Sequence, residues 1–396
     1  MTSTSVTPAA TPSTTPAATT STTQGGASTS ATSPSGAATP ATSPGGAPTA
    51  PRGPATIALY GATGHTAGYI LDRIRALGAT PILVGRNADR LRAAAAAAGL
   101  PDAEIRIADL NDHAALVAAF TGADVVISAL SAFVKTGAAV VAAAVAAGAH
   151  YTDTSGEQLF LQRVFENHGA AAEAAGVTLL PGITDNNLTG DLLGHLVARR
   201  VQGPAELVLS HLSRSGGNGS KGSAKTVLAS RDWFIGGGYH YEDGVLRTSV
   251  ATKHPELTFP GDTAPTPVVK FPQSSVLTIP RHSEVAYVAG AVAASINAHL
   301  SGFTDAALDS MPEAPDADLR YYMIVDAHGA DGAGVRGLVD GVDSYRDSAI
   351  MAVEVAIRLA AGGIRPGALA PAEAFDPAEF LNSLVPHGIT WSIEEL

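Results

Sequence analysis

Cysteine is absent from the 396 residues of the chain. That excludes disulfides, thiolate metal sites and a cysteine nucleophile, and it suits a reducing cytoplasm, the compartment expected here. Basic residues are scarce: 24 Lys and Arg against 36 Asp and Glu leave a net charge of −12. No broad positive field exists to hold a phosphate polymer, so nucleic acid is not an expected partner. No run approaches the ~18 apolar residues of a membrane span, so no membrane is expected either. The richest stretch, Ala138 to Ala149, is short and alanine-dominated and reads as a packed helix. The N-terminus lacks the basic cluster and apolar core of a secretory signal. Charged residues make up only 15% of the chain, while hydrophobic ones make up 45%. A large core is affordable, and the length suggests two or three domains.

Residues 1–54 are almost entirely Thr, Ser, Pro, Ala and Gly, with Arg52 as the only charged side chain. Ala31-Thr-Ser-Pro-Ser-Gly-Ala37 recurs as Ala41-Thr-Ser-Pro-Gly-Gly-Ala47. Such a stretch buries too little side chain to offset chain entropy and is expected to be a disordered tail. It reads as a passive tail or an overlong start; a glycosylated or tethering segment is the functional alternative.

From residue 56 the pattern alternates. Strands are expected at 57–60, 81–84, 104–108, 124–128, 150–154 and 177–180. Helices are expected between them at 68–77, 89–98, 112–120, 137–147 and 158–175. Six short strands alternating with helices imply an α/β, doubly wound parallel sheet, a Rossmann-type domain over 55–187. A helix at 188–200 then leads into a region of different texture. Strand-like pieces at 206–213, 244–249, 276–280 and 319–327, with helices at 224–233 and 283–297, suggest an inserted α+β domain over 188–343 built on an antiparallel sheet. The segment 344–396 opens with a helix at 344–361, continues with a capped helix at 376–384 and a last strand at 388–393, and is expected to pack back on the first domain.

Chemistry concentrates where the first strand meets its helix. Tyr60-Gly61-Ala62-Thr63-Gly64-His65-Thr66-Ala67-Gly68 is a glycine turn between strand and helix, the first crossover of a dinucleotide fold. Gly61 allows the sharp turn. Gly64 carries no side chain to hold a pyrophosphate away from the backbone N–H groups. Gly61, Thr63, Gly64, His65 and Thr66 are therefore candidate cofactor residues. The second strand ends at Gly85-Arg86, with Arg90 one turn on. An acidic residue here would favour NAD; a guanidinium matches the 2′-phosphate of NADP in charge and geometry. Asp109 is placed either to meet the adenine or to cap a helix. Ser128, Ala129 and Leu130 end the fourth strand, where small residues let the chain pass beside the cofactor.

Tyr151-Thr-Asp153-Thr-Ser155-Gly-Glu157 ends the fifth strand and brings hydroxyls and two carboxylates to the same crevice. Proton transfer and helix capping both suit this stretch. Lys135, Tyr151, Asp153 and Asp185, all near strand ends, are the candidates for donating a proton or polarising a substrate. The basic stretch 213–225 reads as a mobile loop or as a substrate lid bringing Lys221 or Lys225 to an anion. His240 with Glu242, and Asp326, His328 and Asp331, lack metal-site spacing, so no metal is expected.

Over residues 55–396 the chain resembles the saccharopine dehydrogenase-like oxidoreductases, including short bacterial members and trans-acting enoyl reductases. The resemblance rests on Gly61-Ala-Thr-Gly64-His-Thr, Gly85-Arg86, Tyr151-Thr-Asp153-Thr-Ser-Gly-Glu157, Pro181-Gly182 leading to Asp191, and the closing Gly367-Ala-Leu-Ala-Pro371 with Phe375-Asp376-Pro377. It implies a Rossmann domain completed by the C-terminal segment and NADP(H)-dependent reduction of a C=N, C=O or C=C bond of a small molecule in the interdomain cleft, with room for a homodimer. Relatives often carry Gly-Phe-Asp-Ser-x-Pro-Ser-Asp after the sixth strand; here the loop is longer and lacks the proline, so no substrate carries over. A non-catalytic NADP-binding sensor, or an enzyme using NADP transiently, are the alternatives.

Overall fold

The computed structural model describes residues 53–213, 219–249, 252–311, 315 and 320–396. Nearly all of the N-terminal tail, and residues 214–218 of the expected lid, lie outside these.

The first half alternates as its pattern requires: β1 (Thr56–Tyr60), α1 (His65–Ala76), β2 (Thr80–Gly85), α2 (Ala88–Ala97), β3 (Glu104–Ile107), α3 (His113–Phe120), β4 (Val125–Ser128), α4 (Phe133–Ala146), β5 (His150–Asp153), α5 (Gln158–Ala175) and β6 (Thr178–Leu180). The strands pair in parallel in the order β3-β2-β1-β4-β5-β6. Strands β1 and β4 are buried apart from the intermediate Thr56, as expected of a sheet covered on both faces. The sequence reverses direction between β1 and β4, and that switch point is where ligands of such sheets bind.

The chain then runs through α6 (Asn187–Ala198), β7 (Ala205–Ser213), α7 (Lys221–Ala229), α8 (Arg231–Ile235), β8 (His240–Glu242), β9 (Val245–Arg247), β10 (Glu256–Leu257), β11 (Thr266–Lys270), α9 (Ser275–Thr278), β12 (Val285–Ala293), α10 (Ala294–Ser301), α11 (Asp305–Ser310), β13 (Arg320–His328) and β14 (Gly334–Val342). After these come α12 (Ser344–Ala361), β15 (Gly367–Ala368), α13 (Pro371–Ala374), α14 (Pro377–Leu384) and β16 (Thr390–Glu395). The second sheet runs β10-β11-β12-β7-β13-β14-β16, with β8 and β9 paired off its path.

This second sheet is mixed, not antiparallel as expected, because β7 and β12 run parallel. Two local expectations also fail. Residues 283–297, expected to be a helix, contain the strand β12. Burial overrides propensity there: Val288 through Val292 are packed in the sheet, and any side chain at Gly290 would collide with the Phe271 carbonyl. Residues 276–280 form α9 and a 3₁₀ turn instead of a strand. Ile279 there packs against Gly194 of α6, where an added Cβ would lie 2.5 Å from its Cδ1.

The C-terminal segment serves both sheets. Helix α12 lies on α1, β4 and β5, and β15 adds a seventh strand beside β6. Strand β16 departs from the expected packing on the first domain and pairs with β14 instead.

Candidate active site

The glycine turn is built for a close approach. Gly61 has φ +86°, and a Cβ on it would lie 2.9 Å from the Ala129 carbonyl. Glycine is required there by packing. Gly64 is different: it is exposed, and a Cβ would meet nothing nearer than 3.5 Å. It caps α1 without a side-chain hydrogen bond, and no acidic residue occupies the first turn. The first N–H groups of α1, from His65 and Thr66, are thus left to an anion.

Beside the turn a cavity of ≈ 160 Å³ is lined by Tyr60, Gly61, Thr63, Gly85, Arg86, Arg90 and Leu130. Arg86 and Arg90 are exposed and form no ion pair with the described residues. Burial, with Asp109 nearby, raises the Tyr60 phenol above its ordinary range, while the Arg86 charge opposes the shift. Tyr60 marks the floor of this cavity and escapes sequence reasoning because it reads as an ordinary core residue of β1. Asp109 is exposed and accepts from the Asn111 backbone at 2.9 Å; Asp112 is the residue that caps α3. Together these features match the needs of a phosphorylated dinucleotide: open N–H groups, a close-approach glycine and unpaired guanidinium groups.

The ends of β4, β5 and β6 behave otherwise. Helix α4 begins four residues earlier than expected. Ala132, at φ +53°, offers no side-chain cap. Glu157 supplies one from another loop, its carboxylate accepting from Phe133 N at 2.6 Å and Val134 N at 2.8 Å. The Thr226 hydroxyl of α7 adds a 3.1 Å contact to Ala132 N and a 3.3 Å contact to Glu157. Glu157 therefore caps a helix other than its own. Burial raises its pKa despite these bonds.

Asp153 is fully buried, and its Oδ1 accepts from Ser155 N at 2.8 Å and Gly182 N at 3.0 Å. Its Oδ2, the Tyr151 hydroxyl and the Ser128 hydroxyl are buried together, with Tyr151 between the other two. Burial pushes Asp153 up to about 7 and Tyr151 well above its usual range. Both lie inside the core, so neither has surface to offer a substrate. Lys135 is exposed on the first turn of α4. Lys221 and Lys225 lie in helix α7, capped by Ser220, not in a loop.

Asp185 has different company. Its Oδ2 accepts from His211 Nε2 and from Ser344 Oγ, each at 2.8 Å, and its Oδ1 from Ser348 Oγ at 3.2 Å. The His211 ring stacks on Tyr321 at 5.4 Å, and the Tyr321 hydroxyl donates to Asp347 at 3.2 Å. Burial pushes Asp347 up to about 6, against the opposing pull of Arg346. The residue after Ser344, Tyr345, packs edge-on against His65 of the glycine turn at 5.4 Å and receives a 2.6 Å bond from Ser220 N. His211 was invisible in the sequence, since its partners Asp185 and Tyr321 come from two distant segments. Among the described residues no cluster of His, Cys, Asp or Glu could hold a metal, and no helix is long and apolar enough to cross a membrane.

Comparison with known proteins agrees with this geometry. The chain is 29% identical over 150 residues to a trans-acting enoyl reductase of Mycobacterium leprae, covering 37% of this chain and 36% of that one. It is 27% identical over 206 residues to a trans-acting enoyl reductase of Mycobacterium tuberculosis, covering 50% and 46%. The aligned part thus spans less than half the length of these curated relatives. A solved apo saccharopine dehydrogenase (L-Glu forming) from Saccharomyces cerevisiae shares the fold, with a TM-score of 0.57 at 14% identity over 86% of this chain and 100% of that one. Residues 57–180 match the model of the saccharopine dehydrogenase NADP binding domain, so this part of the chain is similar to that domain and its cofactor is NADP(H).

Proposed function

We propose that this protein is an NADP(H)-dependent oxidoreductase that transfers hydride to a C=N, C=O or C=C bond of a small metabolite. The observation that carries the reading is the uncapped start of α1 beside Arg86 and Arg90, which form no ion pair with the described residues. The turn Gly61 to Thr66 would hold the pyrophosphate, and Arg86 with Arg90 the 2′-phosphate. Asp109, Gly85 and the Ser128–Leu130 stretch would border the adenosine and nicotinamide halves. When bound, the cofactor supplies the hydride; the protein's part is to orient it and exclude water. The names of the relatives, an enoyl reductase and a dehydrogenase, support a redox role.

The test is NADPH titration by fluorescence, followed by NADPH oxidation against aldehydes, ketones, imines and enoyl thioesters. Tight NADPH binding with turnover of at least one class is expected. Binding without turnover of any class would leave a cofactor-binding protein and no reductase.

A further inference from the structure

Resting on that reductase reading, we propose that His211 is the catalytic acid and base of the site, positioned by Asp185, and that the substrate is a carbonyl or imine whose heteroatom receives its proton. The imidazole has one nitrogen committed and one open. Nε2 donates to the Asp185 carboxylate at 2.8 Å. No described residue bonds Nδ1, and the side chain is 24% exposed. A carboxylate behind one ring nitrogen fixes the tautomer and holds the ring, leaving the other nitrogen to face a reacting atom.

Asp185 itself cannot turn away. It is buried, accepts from His211, Ser344 and Ser348, and donates its own N–H to Ser348 Oγ at 2.9 Å. It is a positioning residue, bonded to the ring nitrogen opposite the reacting one. The tyrosine face beneath His211 sets the ring plane. The charged and titratable groups around the ring are Asp185 from the β6–α6 loop, Tyr321 from β13, and Asp347 with Arg346 behind Tyr321 from α12.

Location agrees with the role. Asp185 follows β6, at the carboxyl edge of the parallel sheet where ligands of this architecture lie. Ser344 links the pair to the first turn of α12, and Tyr345 links that turn to His65 at the start of α1.

The step balances. The carbon of the C=O or C=N bond gains a hydride from NADPH, which leaves as NADP⁺. The π pair moves to oxygen or nitrogen, and that atom takes the proton from His211 Nδ1. Neutral imidazole remains, its Nε2–H still on Asp185, and water restores the lost proton.

Two measurements on the full chain decide the matter. In ¹⁵N-histidine NMR without cofactor, neutral His211 is expected as the Nε2–H tautomer; an Nδ1–H tautomer would overturn the proposal. Kinetics then use NADPH with a 2-oxo acid, the same acid plus ammonium, and crotonyl thioester. His211→Gln should lower kcat on the first two by about 10²–10⁴-fold. It should leave KM and NADPH affinity within about twofold, a change worth under 0.5 kcal/mol. Asp185→Asn serves as the second variant, and a lowered kcat with unchanged NADPH affinity is expected there also. Wild-type kcat in His211→Gln, or turnover of the thioester alone, overturns the role of His211 while the reductase reading stands. NADPH binding with no turnover of any probe overturns both.

Discussion

The two halves of the parallel sheet treat their helix starts in opposite ways. On the β1–β2 side α1 begins on an exposed glycine with no cap and no carboxylate, and the nearby arginines are unpaired. On the β4–β6 side each carboxylate is already engaged: Glu157 with the start of α4, Asp153 with two backbone N–H groups, Asp185 with His211 and two serines. The start of α1 keeps its donors open, whereas the start of α4 spends them on Glu157, and α2 beside α1 is capped by Asn87. Affinity for phosphate therefore belongs to the first half, and rigidity to the second.

The strongest break of this contrast is Gly61→Val. It combines a positive φ with a collision at the Ala129 carbonyl and should cost more than about 3 kcal/mol, with NADPH binding lost. Thermal melting with NADPH titration checks it. Next is Glu157→Ala, which strips two backbone donors of a charged acceptor and should cost about 3 kcal/mol in urea unfolding, leaving the α1 side intact.

Asp153→Asn sharpens the comparison through pH. Because the folded pKa is raised to about 7, chiefly by burial, the native state holds a proton that the unfolded chain releases near 3.9. Stability is fullest below about pH 4 and falls as pH rises to about 7. The variant keeps an acceptor for Ser155 and Gly182, so it should lose about 2–3 kcal/mol less than the wild type between pH 5 and 8. Asp347, pushed up to about 6, acts in the same direction but is common to both proteins and cancels in the difference. The smallest effect is Arg86→Asp, which should weaken NADPH binding about 10–100-fold and NADH binding little. Equal weakening of both would remove the 2′-phosphate from Arg86.

The same contrast explains what was legible in the sequence. The phosphate side is written within one strand-turn-helix and the next strand end, so Gly61, Gly64 and Arg86 could be read from adjacency alone. The other side depends on contacts between distant segments. His211 meets Asp185 across 26 residues, and Asp185 meets Ser344 across 159. Glu157 looks like the cap of its own helix and turns out to cap α4. The alanine-rich stretch through Ala293 signals helix by propensity, yet its place between β7, β8 and β11 makes it a strand.

Helix α12 has a consequence for how the protein is made. Tyr69, one turn into α1, donates to Asp343 across 274 residues, and α12 then covers α1 and the sheet. At ~5–20 residues per second, a ribosome needs roughly 14–55 s between emitting the glycine turn and emitting the helix that shelters it. For that interval the apolar face of α1, with Ile70, Leu71 and Ile74, lacks much of its cover. The nascent chain is most exposed to chaperones and proteases in that window, and a stop codon before residue 344 would leave the cofactor domain permanently in it.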